Sequence, residues 1–143
     1  MPTAKVTAAF DPLTLPAEVR NPYPAPYDTA LNGKSRRALG DANGLTQFGV
    51  NLTELAPGAV SALRHWHSAE DEFIYITDGT PTLVTETGEQ VLAPGMCACF
   101  PAGAENAHVL ENRSDTVVRF IEVGTRSPAE EVHYPDNDME LEK

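Results

Sequence analysis

The chain has 143 residues, of which 41% are hydrophobic and 22% charged, and this size and balance predict one soluble domain with its own core. Its formal net charge of −11 disfavours binding to nucleic acid or to an anionic membrane surface, and no basic patch offsets that charge. No apolar stretch is long enough to span a bilayer, and residues 1–10 do not resemble a secretory signal, so we expect a cytoplasmic protein.

Residues 1–45 are predicted to be an irregular N-terminal arm. Prolines at positions 12, 16, 22, 24 and 26 are too dense for a helix or an interior strand. Tyr23 and Tyr27 are expected to pack against an apolar surface, either on the same chain or on a dimer partner. Because a small barrel also tends to bury an exposed sheet face or edge by pairing, we predict a homodimer.

Residues 46–124 are predicted to form an all-β sandwich or barrel, because short strand-like segments alternate there with turn residues. The predicted strands cover residues 48–52, 60–67, 73–77, 82–85, 91–92, 96–100, 108–110 and 116–123. After Val123 the strand pattern stops. Residues 125–143 are therefore predicted to be an acidic C-terminal tail, in which residues 129–132 could form a single helical turn.

Side chains alternate between the two faces of a strand, and this rule assigns several residues to the interior. If Glu72 points inward, Ile74 and Ile76 do as well, which gives the predicted cavity an apolar wall. Cys97 and Cys99 share one face of their strand. We expect them to be small buried hydrophobic residues, since no second cysteine pair is present to complete a metal or redox site.

Three of the four histidines occur in a pattern that is typical of a metal site. His65 and His67 flank Trp66, so on a strand both imidazoles face the same way. Glu72 begins the next strand after a polar turn, and His108 follows a turn later in the chain. Three imidazoles and a carboxylate suit Zn, Fe, Mn, Ni, Co or Cu, and they leave coordination positions open for a ligand. The sequence thus predicts one divalent metal ion per chain.

Other charged residues near these ligands have a functional and a structural interpretation. Glu122, on the last predicted strand, could be a catalytic base, and Arg119 on the opposite face could clamp a substrate carboxylate. Either residue could equally belong to a solvated face or an ion pair. Glu70 and Asp71 are expected to be solvated charges at the rim of the site, and His133 an exposed bystander.

Two stretches of the chain resemble the two conserved motifs of the cupin superfamily. The first motif is matched by Gly58, His65, His67, Glu72 and Gly79, and the second by Gly95, Pro101, Gly103, His108 and Asn112. The resemblance implies a double-stranded β-helix, that is, a jelly-roll barrel. It also implies metal binding by His65, His67, Glu72 and His108. The chain looks most similar to small stand-alone bacterial cupins, some of which are labelled sugar-phosphate isomerases.

The resemblance leaves the reaction open, because cupins include enzymes, sensors and storage proteins. We favour a metal-dependent enzyme acting on a small oxygenated metabolite, by isomerase, lyase or dioxygenase chemistry. The alternative is a non-catalytic module that binds a small molecule. A storage protein is the least favoured, because storage cupins usually have two domains and a signal peptide.

Overall fold

The computed structural model describes residues 8–137 and 139–142. Apart from a 3₁₀ turn at Pro12–Thr14 and a short helix α1 (Leu39–Ala42), its regular elements are strands. The strands are β1 (Lys34–Ala38), β2 (Phe48–Leu55), β3 (Trp66–His67), β4 (Glu72–Asp78), β5 (Thr82–Thr85), β6 (Gly88–Val91), β7 (Cys97–Phe100), β8 (Val109–Glu111), β9 (Val118–Thr125), β10 (Glu131–Tyr134) and β11 (Met139–Glu142).

The strands form two antiparallel layers. The first is a five-stranded sheet in the order β1-β2-β9-β4-β7, and two three-stranded sheets, β11-β10-β3 and β6-β5-β8, make up the second. Isolated backbone bridges between Val60 and Glu111 and between His65 and His108 join the two smaller sheets. This arrangement confirms the predicted all-β jelly-roll barrel.

The hydrophobic core lies between the layers. From the large sheet, Ile74, Ile76 and Phe120 point inward, and Leu83 and Leu110 meet them from the opposite layer. Ile76 and Phe120 are almost completely buried, whereas Tyr75, on the other face of β4, is exposed. The predicted inward and outward alternation of β4 is therefore correct.

Two of the motif residues have structural roles. Gly79 has a φ of +82°, and a Cβ atom there would lie 2.7 Å from the carbonyl oxygen of Val117, so only glycine fits. The buried amide of Asn112 donates to the carbonyl oxygens of Leu55 and Thr116, at 2.9 and 2.8 Å. Both residues thus contact the segment 116–118, which leads into β9.

The N-terminal region is more ordered than the sequence indicated. Residues 34–38, expected to be irregular, form β1, which pairs along its whole length with β2. Tyr23 packs within the same chain, where its ring contacts Tyr134 edge to face with centroids 5.6 Å apart, and its hydroxyl accepts a hydrogen bond from the Leu63 amide. The region thus contributes an edge strand to the barrel sheet.

The C-terminal region also differs from the prediction. Residues 131–134, expected to lie in a tail without strands, form β10, which pairs with β3 and with β11. His133, expected to be an exposed bystander, stacks on Trp66 with ring centroids 4.3 Å apart. The pairing between β10 and β3 brings the C-terminal segment against the strand that carries His67.

The prediction that Cys97 and Cys99 are buried is wrong. Both are exposed, because the register of β7 with β4 places them opposite Tyr75 and Phe73 on the outer face, and only Ala98 between them packs against the core. Within residues 8–137 and 139–142, no helix is long and apolar enough to cross a membrane.

Candidate metal centre

Four backbone segments bring the predicted ligands to one end of the barrel. His65 and His108 face each other across an isolated bridge, in which the amide of each donates to the carbonyl of the other at 3.2 and 2.9 Å. His67 lies in β3, and Glu72 is the first residue of β4. The ring of His108 stacks on Phe100, with an interplanar angle of 8°, so packing as well as pairing fixes its direction.

The ligand atoms of these residues are close together. The Nε2 atom of His65 lies 3.1 Å from that of His67, which in turn lies 3.2 Å from one carboxylate oxygen of Glu72. The other oxygen of Glu72 lies 2.7 Å from Nε2 of His108. Ligand atoms of His65, His67 and Glu72 all lie within 4.8 Å of one another, and His108 joins them through Glu72.

The hydrogen-bond partners of the Nδ1 atoms indicate which nitrogen of each imidazole ring carries the lone pair. Nδ1 of His65 lies 2.7 Å from the carbonyl oxygen of Leu63, and Nδ1 of His108 lies 3.2 Å from that of Asn106. A carbonyl can only accept, so these Nδ1 atoms carry protons, and in the neutral form of each ring the lone pair that binds a cation is on Nε2. His67 has the same arrangement, with Nδ1 3.2 Å from a carboxylate oxygen of Glu130.

This donor set fits a divalent transition-metal ion. Three imidazole lone pairs and a carboxylate face one small space, and none of these groups can donate to another in that tautomer. Only a cation, either added protons or a metal ion, relieves the repulsion between them. Neutral imidazole and carboxylate are the ligands that zinc, iron, nickel and copper accept.

The pKa shifts of His65 and Glu72 favour the protonation states in which these residues bind a metal ion. Burial lowers the pKa of His65 to about 4, although the charge of Glu72 opposes that shift, so the ring is neutral at pH 7. Burial alone would raise the pKa of Glu72, but its interactions with His108 and His67 outweigh burial and hold the pKa well below its usual range. Glu72 is therefore ionised.

Behind the site lies a buried carboxylate that the sequence analysis did not identify. The Glu130 side chain is fully buried, lies against Nδ1 of His67, and accepts hydrogen bonds from the amide of Ala69 and the hydroxyl of Ser68. Glu70, expected to be a solvated rim charge, is buried beside it and accepts from the Ser127 amide at 2.9 Å, whereas Asp71 is exposed as expected. A carboxylate behind a metal-binding histidine fixes the ring and its tautomer.

The predicted ligands line a cavity of about 320 Å³ inside the barrel. Apolar side chains of Ile74, Leu83 and Phe120 form part of its wall. Glu122 also lines it, and one oxygen of its carboxylate accepts hydrogen bonds from the hydroxyl of Thr53 at 2.9 Å and the amide of Asn51 at 3.4 Å. The second oxygen accepts no hydrogen bond from the described residues.

The structure separates the two predicted catalytic candidates. Glu122 faces the cavity, whereas Arg119 lies on the opposite face of β9 and pairs with Glu54 at 3.3 Å. Three cations line the cavity. Arg126 follows β9 and pairs with Asp41, whereas Lys34 and Arg36 are on β1, a strand that the sequence analysis did not predict. Arg36 faces inward because its register partner Thr53 is on the same face as Glu122.

Comparison with known families gives one profile match: the Cupin domain family matches residues 51–124. No curated protein sequence matches the chain at a significant level.

Several solved structures are similar to this chain over most of its length. A cupin-superfamily sugar phosphate isomerase from Silicibacter pomeroyi is 45% identical, with a TM-score of 0.90, over 93% of this chain and 85% of its own. A protein named as a sugar phosphate isomerase from Acidithiobacillus ferrooxidans is 32% identical, with a TM-score of 0.72, over 76% and 69%. The polyketide cyclase RemF from Streptomyces resistomycificus, at 24% identity and a TM-score of 0.68 over 84% and 80%, shares the fold.

Proposed function

The chain belongs to the cupin superfamily, and from that premise we propose that it is a metal-dependent enzyme that moves a proton within a small hydroxy-carbonyl metabolite. The observation that carries the proposal is the convergence of His65, His67, Glu72 and His108 on one end of a cavity that also contains Glu122. The likeness to two proteins named as sugar phosphate isomerases supports isomerase chemistry over oxygen chemistry.

The four proposed ligands would hold one divalent ion. Such an ion supplies Lewis-acid polarisation of a carbonyl oxygen. The chain's own contribution begins with orientation, because Glu130 fixes the ring of His67 and the backbone carbonyls of Leu63 and Asn106 fix the other two.

Glu122 is the proposed base. Thr53 and Asn51 hold one oxygen of its carboxylate, which leaves the other to take a proton from the carbon next to a carbonyl group. Glu122 would return that proton to the neighbouring carbon while the hydroxyl proton of the substrate passes to the former carbonyl oxygen, so the carboxylate ends the reaction ionised as it began. The apolar wall around it, including Ile74 and Phe120, excludes water and strengthens these charge interactions.

Deuterium exchange tests this proposal whatever the product of the reaction is. The metal-loaded protein is incubated in D₂O with a panel of hydroxy ketones, hydroxy aldehydes and keto acids, and NMR follows deuterium at the carbon next to the carbonyl. We expect exchange with at least one member of the panel, and a loss of about 10²- to 10⁴-fold in Glu122→Gln, the usual contribution of a general base.

Glu89→Gln is the matched control, because Glu89 is exposed, pairs with Arg113 and does not line the cavity. It should keep full exchange. Binding of a panel member without exchange would instead make the protein a binding module, and oxygen consumption with the loaded protein would indicate dioxygenase chemistry. Either result would overturn the proposed isomerase activity.

A further inference from the structure

The lysine and arginine residues that the structure describes in this acidic protein fall into two groups. Five arginines form ion pairs with carboxylates: Arg37, Arg64, Arg113, Arg119 and Arg126. Arg20, Lys34 and Arg36 form no ion pair with any residue whose side chain the structure describes. These three cations all line one cavity of about 370 Å³ beneath the N-terminal region.

This outer cavity adjoins the cavity that contains the candidate metal centre. Lys34, Arg36 and Ser61 line both, so they stand where the two meet. The outer cavity has one acidic lining residue, Glu18, against three cations. In a chain of net charge −11, which repels anions at long range, this is a local reversal of sign.

The guanidinium group of Arg36 suits a bound ligand, because it has no acceptor for one of its donors within the described part of this chain. Its Nε atom is buried and makes no hydrogen bond to any described residue. Leaving a buried charged donor unsatisfied is costly, and the planar guanidinium group matches carboxylate and phosphate oxygens. The Nε atom of Arg119, on the opposite face of the sheet, is likewise buried without a hydrogen bond, but it lies 3.3 Å from a carboxylate oxygen of Glu54, whereas Arg36 forms no ion pair with any described residue.

Lys34 lies on the same inner face of β1 as Arg36, since the two are separated by one residue. Its ammonium group donates to the carbonyl oxygen of Ser61 at 2.6 Å, which leaves two of its three donors. Burial lowers the pKa of Lys34, Arg36 lowers it further, and the charges of Glu122 and Glu72 oppose the shift. A bound anion would offset both unfavourable effects on the ammonium group.

We propose that Arg36 and Lys34 bind a carboxylate or phosphate group of the ligand at the junction of the two cavities. The substrate is then an anionic hydroxy-carbonyl compound whose charged end lies at this junction and whose reacting end lies between Glu122 and the candidate metal centre. The identity of the reacting end rests on the proposed function, whereas the anion subsite stands on the geometry of β1. Arg20, which also lines the outer cavity, adds to its positive potential.

The test uses the full-length, zinc-loaded, ¹⁵N-labelled protein and measures anion binding directly. The arginine Nε–H resonance of Arg36 is assigned by its disappearance in Arg36→Met. Inorganic phosphate and acetate are then titrated separately at constant ionic strength, with chloride as the reference. We expect a saturable shift of that resonance. A shift with phosphate only would identify a phosphate subsite, and a shift with acetate only would identify a carboxylate subsite. A shift with both anions would identify a shared oxyanion subsite.

Other resonances of the cavity report binding in the variants. Arg36→Met should bind the same anion at least ~10-fold more weakly, and Arg36→Lys should be intermediate because it keeps the charge but loses the planar fork. Arg119→Met, which removes the same charge from the opposite face, should bind like the wild type. No saturable shift with either anion, or equal affinity in Arg36→Met, would overturn the subsite.

One further variant separates this inference from the proposed function. His67→Ala should lose metal yet keep the anion-dependent shift, because Arg36 belongs to β1 and not to the candidate metal centre. Arg36→Met should show the reverse, with metal retained and anion binding weakened at least ~10-fold. An anion shift that disappears with the metal in His67→Ala would assign the anion to the metal ion and would refute the role of Arg36.

Discussion

Replacing Glu130 by glutamine should weaken metal binding about 10- to 100-fold, the usual effect of removing a carboxylate behind a metal-binding histidine. The fully buried Glu130 side chain lies 3.2 Å from Nδ1 of His67 through one oxygen, while the other accepts from Ala69 and Ser68. Glutamine can keep the second oxygen, but it places an NH₂ group, which is a donor, against the donor Nδ1–H of His67. The loss corresponds to about 1.4 to 2.7 kcal/mol.

The assay is a competition titration of Zn(II) between the protein and a chromophoric chelator, with the circular dichroism spectrum as a check on folding. Glu131→Gln is the matched control, because the neighbouring Glu131 is exposed and pairs with His133 at 3.6 Å. Its affinity should equal that of the wild type. Unchanged zinc affinity in Glu130→Gln, or an equal loss in both variants, would refute the positioning role of Glu130.

Three further predictions concern the fold and the assembly. Phe120→Ala should cost about 3–5 kcal/mol of unfolding free energy in urea titrations, since the ring is almost wholly buried, and a loss below ~1 kcal/mol would contradict the core assignment. Gly79→Ala should destabilise more than Gly58→Ala, because φ is similar at both positions but only Gly79 approaches Val117; equal melting temperatures would refute that steric argument. Light scattering at micromolar concentration should show a homodimer, because a small barrel tends to bury an exposed sheet face or edge by pairing, and a monomeric full-length chain would contradict this.

The barrel could be predicted from the sequence because its strands follow a local rule. In β4, alternate side chains face the same way, so once Glu72 is taken to point inward as a ligand, the inward positions of Ile74 and Ile76 follow. The same rule placed Cys97 and Cys99 on one face but could not say which face. That choice depends on the register between β7 and β4, which no local pattern reveals.

The missed elements are those whose position depends on distant pairing. In β1, Lys34 and Arg36 point into a polar cavity and Arg37 pairs with Glu54 on the other side, so neither face shows the apolar alternation that predicts a strand. Likewise, Glu130 belongs to a stretch that resembles an acidic tail. It becomes part of the site only because the next residues, in β10, pair with β3.

Metal analysis tests the central claim most directly. The wild-type protein and a His65→Ala/His67→Ala double variant are purified without chelating resin. Their metal content is measured by elemental mass spectrometry. We predict about one divalent transition-metal ion per wild-type chain and little in the double variant, which should stay folded because neither His65 nor His67 belongs to the hydrophobic core cluster around Phe120. Stoichiometric metal in the folded double variant would contradict the assignment of His65, His67, Glu72 and His108 as the metal centre.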